Sequence, residues 1–206
     1  MSETKNRSYH HGDLRRALID TALAMLVADH NWAFTLREVA RRTGVSHAAP
    51  YKHFRDKEAL LRELARIGFV QLGQSMTQAM LSDTFSVREK FIAGAQACID
   101  FALHNPGLYR LMFSSDADKT IDAQLHEAAM NTFGILLHLL EEGRREGSFR
   151  PVAISAQAAA SWAQVHGLAT LAMSNQLLEE KVGAHPVMDA LDVLLDGLCC
   201  RNEQTA

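Results

Sequence analysis

Residues 46–57 combine small polar side chains with cations, histidines and a tyrosine. Serine, histidine and lysine can hydrogen bond to base edges in a DNA major groove, and alanines let the backbone approach the bases closely. Lys52, Arg55 and Lys57 lie at the end of the segment, where they can pair with phosphates. The ordinary alternative is a solvated charged surface, so the elements that position the segment decide between the two interpretations.

Motifs for catalysis are missing from the sequence. It contains no Gly-x-Ser-x-Gly elbow, no phosphate-binding glycine-rich loop and no His-Glu-x-x-His. Asp100, His104 and His126 could meet in a helical bundle, but their spacing does not require it. His10 and His11 lack a cysteine or carboxylate partner at ligand spacing, which favours an N-terminal arm that touches DNA over a metal site. We therefore expect no enzyme activity, no metal and no cofactor.

Two helices that meet at a sharp corner are predicted to hold the segment. Thr35 and Glu38 fit a capping box at the start of the first helix. Gly44 can take the positive φ that ends it, and Ser46 can cap the second helix after a very short turn. This layout is typical of a helix-turn-helix, whose second helix enters the major groove.

Helical spacing of apolar residues continues from end to end, so we predict an all-α protein of about nine helices. One further helix is expected before the two that meet at the corner. After those two we expect helices over residues 56–81, 86–104, 120–145, 155–176 and 186–200, with a short one after Pro106.

Charge is divided unevenly along the chain. Residues 1–66 carry 12 Lys and Arg against 8 Asp and Glu, whereas residues 67–206 carry 9 against 16. A basic first third joined to an acidic remainder suggests that a polyanion meets the first part. The same acidic remainder mildly favours neutral or cationic small-molecule partners over anions.

The composition, 48% hydrophobic and 22% charged, is that of an ordinary soluble globular protein. Three cysteines form no even disulfide framework and the N-terminus has no signal-peptide run, so we expect a cytoplasmic location. The stretch between Arg150 and Glu179 has no charge, but nine polar side chains interrupt it, and we interpret it as a helix buried in protein rather than a membrane span.

Four short motifs carry a family resemblance. They are Thr35-Leu36-Arg37-Glu38-Val39-Ala40, Gly44-Val45-Ser46, Tyr51-Lys52-His53-Phe54 and Lys57-Glu58-Ala59-Leu60-Leu61. In these residues the chain resembles the tetracycline-repressor (TetR) family of transcriptional regulators. Further along, Trp162-Ala163-Gln164-Val165-His166-Gly167-Leu168 resembles one C-terminal subclass of that family.

The resemblance implies a homodimer on an inverted-repeat DNA operator. It places phosphate contacts at Thr35, Tyr51, His53 and Lys57, and residues at or near base edges at His47, Ala48, Ala49 and Lys52. Ser46 is a further expected DNA-binding residue. Residues 1–56 would form the arm and DNA-binding domain, and residues 57–206 the ligand-binding and dimerisation domain, with helix 57–81 linking the two. Pro50 departs from the family pattern, and its missing N–H is expected to distort the start of the reading helix.

The second domain is expected to bind a small, mainly apolar effector that releases the DNA, which would make the protein a repressor of nearby genes. Candidate ligand contacts are Phe91, Phe101, His104, Tyr109, Met112, Phe113, Phe133, Trp162, His166 and Met173, although a filled core is the ordinary alternative for each.

Small and apolar residues on the last two long helices predict the dimer interface. They are Ala159, Ala163, Gly167, Leu191, Leu194, Leu195 and Leu198. Two other functional classes stay open from the sequence: a helical interaction protein, and a small-molecule-binding enzyme without a DNA role.

Overall fold

The computed structural model describes residues 11–200, and within them it contains α-helices, one short 3-10 helix and no strand. The helices are α1 (His11–Asp29), α2 (Leu36–Thr43), α3 (Lys57–Ala79), α4 (Val87–His104), α5 (Pro106–Met112), α6 (Ala123–Arg145), α7 (Ile154–Met173), α8 (Glu179–Val182) and α9 (Pro186–Leu198), with the 3-10 helix at Pro50–Lys52. The all-α prediction is confirmed. The predicted N-terminal arm around His10 lies outside the described residues.

The helix ends follow from local capping. Thr35 Oγ1 accepts the backbone N–H of Glu38, and a Glu38 carboxylate oxygen accepts the backbone N–H of Thr35. Ser86 and Glu89 make the same reciprocal pair at the start of α4. Gly44 ends α2 with a φ of 78°, the left-handed conformation that glycine adopts without strain. The capping box predicted at Thr35 and Glu38 is therefore confirmed.

The prediction of an α-helix over residues 46–54 is wrong. This segment is a turn followed by a single 3-10 turn, in which Ala49 N–H bonds to Ser46 O and His53 N–H bonds to Pro50 O. Pro50 has no N–H to donate to the carbonyl four residues earlier, so bonds to the third residue back replace the α-helical pattern. Residues 11–200 still contain nine α-helices, the predicted number, because the structure has a short helix, α8, that the sequence did not predict.

Helix α3 connects the two halves of the molecule. Its first half packs Leu60, Leu61 and Leu64 into the core with α1, and the rest of the helix packs against α4, α5 and α6. Close approaches fix these contacts: a Cβ on Gly68 would lie 2.6 Å from Met112 Sδ, and one on Gly107 would lie 2.7 Å from the Leu26 carbonyl oxygen. The N-terminal helices and the bundle therefore share one continuous core.

The uncharged helix α7 is buried on one face only. Gln157, Ala158, Ser161, Leu168 and Ala169 are buried against the rest of the bundle, and other residues of the helix are exposed. None of the helices in residues 11–200 is both long enough and apolar enough to cross a membrane.

Candidate functional site

The segment that follows α2 is an exposed polar surface. Ser46, His47, Ala48 and Lys52 are exposed. Tyr51 is 53% exposed, an unusually large fraction for an aromatic side chain that does not contact a binding partner. Pro50 and Phe54 lie on the other side of the 3-10 turn and are buried. The turn therefore presents its polar side chains outward while its apolar residues hold it against the helices beneath.

The predicted phosphate contacts differ in their surroundings. Thr35 is exposed, but its hydroxyl lies 3.0 Å from a Glu38 carboxylate oxygen. Lys57 is half-buried at the first turn of α3, with its ammonium 5.8 Å from the centre of the Phe34 ring. His53 is half-buried, and its Nε2 atom is buried without a hydrogen-bond partner among the described residues. The hydrogen bonds from Thr35 also lower the pKa of Glu38 and keep this cap ionised.

Cations surround the exposed turn. Between positions 35 and 57 the chain has six Lys and Arg against two Asp and Glu. Arg37, Arg41 and Arg42 are exposed on α2 and were not among the predicted site residues; Arg41 and Arg42 are in its last turn, shortly before the exposed segment. Leu36, Val39 and Ala40 form the buried face of this short helix. Helical periodicity could therefore have predicted that the three arginines are exposed. This surface can bind a polyanion through phosphates and present hydrogen-bonding groups to base edges.

A cavity of about 670 Å³ lies inside the C-terminal bundle, between α3, α4, α6 and α7. Six of the ten predicted ligand contacts line it: Phe91, Tyr109, Phe113, Phe133, Trp162 and His166. Most of the other walls are apolar and include Met76, Met80 and Leu139. Its size falls within the range of about 300–1,000 Å³ that is usual for small-molecule sites.

The other four predicted contacts do not line this cavity. Phe101 and Met112 are buried elsewhere in the core, where Met112 packs against Gly68. His104 is exposed at the end of α4, with its Nδ1 2.7 Å from the Asp100 carbonyl oxygen. Met173 packs against the core at the end of α7. Helical spacing placed these residues on a helix but did not indicate which neighbours they meet.

Polar groups interrupt the apolar wall at a few points. The Tyr109 hydroxyl lies 3.0 Å from His166 Nδ1, and the two rings stack with centroids 5.6 Å apart. Burial lowers the pKa of His166 and raises the pKa of Tyr109, so both groups are neutral near pH 7. Burial also raises the pKa of Cys98 to about 11, which leaves it an unreactive thiol. Ser161 Oγ is buried and has no hydrogen-bond partner among the described residues.

One loop, residues 113–122 between α5 and α6, contacts both the cavity and the N-terminal helices. Asp116 accepts a hydrogen bond of 2.6 Å from Trp32 Nε1, in the turn between α1 and α2. Lys119 lines the cavity, and the Asp122 carboxylate lies 3.6 Å from Arg62 of α3. A displacement of this loop inside the bundle would therefore reach the helices that carry the exposed turn.

The predicted dimer residues fall into two groups. Ala159 and Ala163 are exposed on α7, and there is open space around the Gly167 Cα. Together with the exposed Ala160 and the 44% exposed Leu171, they form a flat face of small and apolar side chains, which we call the α7 face.

The apolar stripe of α9 faces the chain's own core. Leu191 and Leu195 are fully buried, Leu198 is 4% exposed and Leu194 is half-buried, because α4 and α7 pack over them. The first three are thus not available to a partner, which corrects their assignment to an interface. The apolar side chains that α9 leaves exposed are Met188 and Val193, the latter at 72%.

Two family models match the chain. Residues 18–64 match the one described as bacterial regulatory proteins, tetR family. Residues 91–198, more than half of the chain, match the one described as tetracyclin repressor-like, C-terminal domain. The finer subclass suggested by the motif from Trp162 to Leu168 stays a prediction.

Solved structures agree over nearly the whole chain. A protein of unknown function from Rhodococcus sp. RHA1 is 35% identical, with a TM-score of 0.83 and coverage of 95% of this chain and 100% of that one. A TetR family transcription regulator from Marinobacter aquaeolei VT8 is 18% identical, with a TM-score of 0.65 and coverage of 91% and 96%. A TetR family transcriptional regulator from Thermus thermophilus is 17% identical, with a TM-score of 0.64 and coverage of 87% and 97%. The last two similarities concern the fold alone.

Proposed function

The chain belongs to the TetR family of DNA-binding transcriptional regulators, and from this premise we propose that it is a homodimeric repressor released from an inverted-repeat operator by a small, mainly apolar ligand. We place DNA binding in residues 1–56 and ligand binding and dimerisation in residues 57–206. Regulators of this family are generally not enzymes, and we propose no catalytic activity.

The proposed DNA-binding site rests on one observation. The polar side chains of residues 46–53 are exposed in a part of the chain rich in Lys and Arg, and the buried Pro50 and Phe54 pack the turn against the helices. We assign base-edge contacts to Ser46, His47, Ala48, Ala49 and Lys52, and phosphate contacts to Thr35, Tyr51, His53 and Lys57. Arg41 and Arg42 join the second group because they are exposed beside the turn. A 3-10 turn spaces its side chains differently from an α-helix. We therefore expect the contacts of this segment with the bases to differ from those of an α-helical reading helix.

Replacing Lys57 with alanine is expected to weaken binding to all DNA sequences. The loss of one phosphate contact makes the slope of log affinity against log salt shallower by about 0.9. His47→Ala is expected instead to leave that slope unchanged and to relax sequence preference at one base pair, by about 1–3 kcal/mol. Fluorescence anisotropy on operator and scrambled duplexes at several salt concentrations measures both effects.

Lys181→Ala is the matched control, because Lys181 is exposed on α8, outside the proposed DNA-binding domain. It should leave both affinity and slope unchanged. Folded protein that binds a genomic DNA pool without salt dependence would contradict the proposal.

The loop of residues 113–122 supports coupling between the cavity and the DNA. A ligand that displaces it would strain the Trp32–Asp116 hydrogen bond and the Arg62–Asp122 ion pair, both of which end on or beside the N-terminal helices. For release, the ligand must bind the DNA-incompetent arrangement more tightly than the competent one.

A thermal-shift screen of apolar metabolites and drugs is expected to yield compounds that also weaken operator binding, by about 5- to 150-fold. Trp32→Phe removes the donor to Asp116 and should reduce this response while ligand affinity stays within about twofold of the parent. Operator anisotropy with and without each compound measures the response. Compounds that stabilise the protein but never change operator affinity would refute the release and leave DNA binding standing.

A further inference from the structure

The cavity holds one positive charge. Lys119 is the single Lys or Arg among its lining residues, and no Asp or Glu is among them. Its ammonium lies 5.3 Å from the centre of the Phe69 ring and 5.8 Å from that of Phe113, so aromatic faces surround it. The neighbouring Asp118 accepts hydrogen bonds at Oδ1 from the N–H and the hydroxyl of Thr120, and its negative charge also interacts with Lys119.

The ammonium of Lys119 has unused hydrogen-bonding capacity. It donates one hydrogen bond of 2.7 Å, to the carbonyl oxygen of Met112 at the end of α5. A lysine carries three N–H donors, so two are left to meet whatever occupies the cavity. Burial lowers the pKa of Lys119, although the nearby negative charge of Asp118 acts in the opposite direction.

The walls around this charge suit an extended apolar body. Apolar side chains make up most of the lining, with methionine and aromatic residues prominent among them, and Met76 and Met80 on α3 can adapt to an irregular shape. The hydroxyl of Ser161, buried without a partner among the described residues, is on the α7 wall. A guest with one charged end and an apolar remainder would match both the ammonium and these walls.

We infer that the effector is an amphipathic carboxylate, with its acid group paired to Lys119 and its apolar body among the aromatic and methionine side chains. The inference rests on the proposed function and specifies the ligand class of that same cavity. Although residues 67–206 carry a net negative charge, none of the described residues that line the cavity is acidic, so Lys119 is the charged side chain that a guest would meet there. A charge-assisted hydrogen bond in this desolvated place is stronger than a neutral one.

The position of Lys119 also connects such a ligand to the loop of residues 113–122. A carboxylate that draws the ammonium toward the cavity competes with the Met112 carbonyl for it. Asp116, three residues earlier on the same loop, holds Trp32 beside the DNA-binding helices. The acid group would therefore act directly on the loop of residues 113–122, which is hydrogen bonded to Trp32 in the proposed DNA-binding domain.

Isothermal titration calorimetry with decanoate and decanol tests the inference, because the two probes share a chain and differ in the charged end. The wild-type protein is expected to bind decanoate more tightly than decanol by about tenfold or more. Lys119→Met keeps the volume of the side chain and should weaken decanoate by a similar factor, while decanol binds equally well or better. Lys181→Met, on the exposed surface of α8, should change neither affinity.

Circular dichroism reports whether Lys119→Met folds. If it does not, the affinities of the wild-type protein for decanoate and decanol still test the inference. Decanol binding as tightly as decanoate, or binding of neither probe, would overturn the inference. A preference for decanoate that survives in folded Lys119→Met would overturn the role of this lysine. None of these results would affect the salt-dependent operator binding. An incorrect ligand class is therefore distinguishable from an incorrect assignment of the protein as a DNA-binding regulator.

Discussion

Replacing Ala163 with glutamate is expected to convert the proposed dimer into monomers and to weaken operator binding by about 100- to 10,000-fold. Ala163 is exposed in the middle of the α7 face, beside Ala159 and Ala160. In the single chain a glutamate there projects into water, so folding should be nearly unaffected. Against a second copy it would place two like charges close to the twofold axis, where small side chains otherwise allow helices to approach.

The loss of affinity follows from bivalency. A dimer places two reading segments on successive major-groove faces about 34–36 Å apart, so the second half-site is bound at high effective concentration. A monomer keeps the contacts of one half-site only.

Sedimentation at micromolar protein measures the mass, and anisotropy on the same samples measures operator affinity. Ala123→Glu is the control, since Ala123 is exposed at the first turn of α6, away from the α7 face, where a carboxylate is compatible with the helix dipole. A parent protein that sediments as a monomer, or an Ala163→Glu variant that stays dimeric, would contradict the proposed interface.

Truncating Phe149 to alanine is expected to lower the free energy of unfolding by about 3–5 kcal/mol. The side chain is 1% exposed, and its ring lies so close to Gly143 that a Cβ there would overlap it. The surrounding backbone is fixed on both sides: Arg150 N–H donates to the Leu198 carbonyl and Cys200 N–H to that of Ser148. Because these bonds prevent collapse around the site, most of the cavity left by the ring should persist.

Urea unfolding measures the loss at a fixed protein concentration, since the stability of the proposed dimer would depend on concentration. Phe85→Ala provides the comparison, because Phe85 is 38% exposed and its truncation should cost far less. A loss of stability at Phe149 no larger than that at Phe85 would contradict the prediction.

Local interactions explain what the sequence alone determined. The capping boxes at Thr35 and Ser86 and the positive φ of Gly44 involve residues three or four positions apart, so residue types and spacing were sufficient. The all-α class follows from helical periodicity in the same way. The departure at residues 46–54 is also local: Pro50 was identified as the source of distortion, but the loss of the α-helical pattern extends over the whole segment.

Only the tertiary structure decided which apolar surfaces the chain covers itself. A periodic stripe on α9 predicts a buried face but not its partner, and Leu191, Leu195 and Leu198 prove to be covered by α4 and α7 of the same chain. On the uncharged α7 both faces mix small, apolar and polar side chains, so periodicity could not distinguish the core face from the exposed one. The same limit applies to Phe101 and Met112, which lie in the core away from the cavity.

Contacts between distant segments were likewise invisible in the sequence. Lys119 lies in a loop without periodicity, and neither its entry into the cavity nor the hydrogen bond from Trp32 to Asp116, 84 residues apart, leaves a local signal. Sequence spacing fixes the neighbours of a residue along one helix or turn, because backbone geometry is regular there. Which side chains meet across elements depends on how all the helices pack together, so the charge in the cavity and its connection to the DNA-binding helices emerge only from the folded chain.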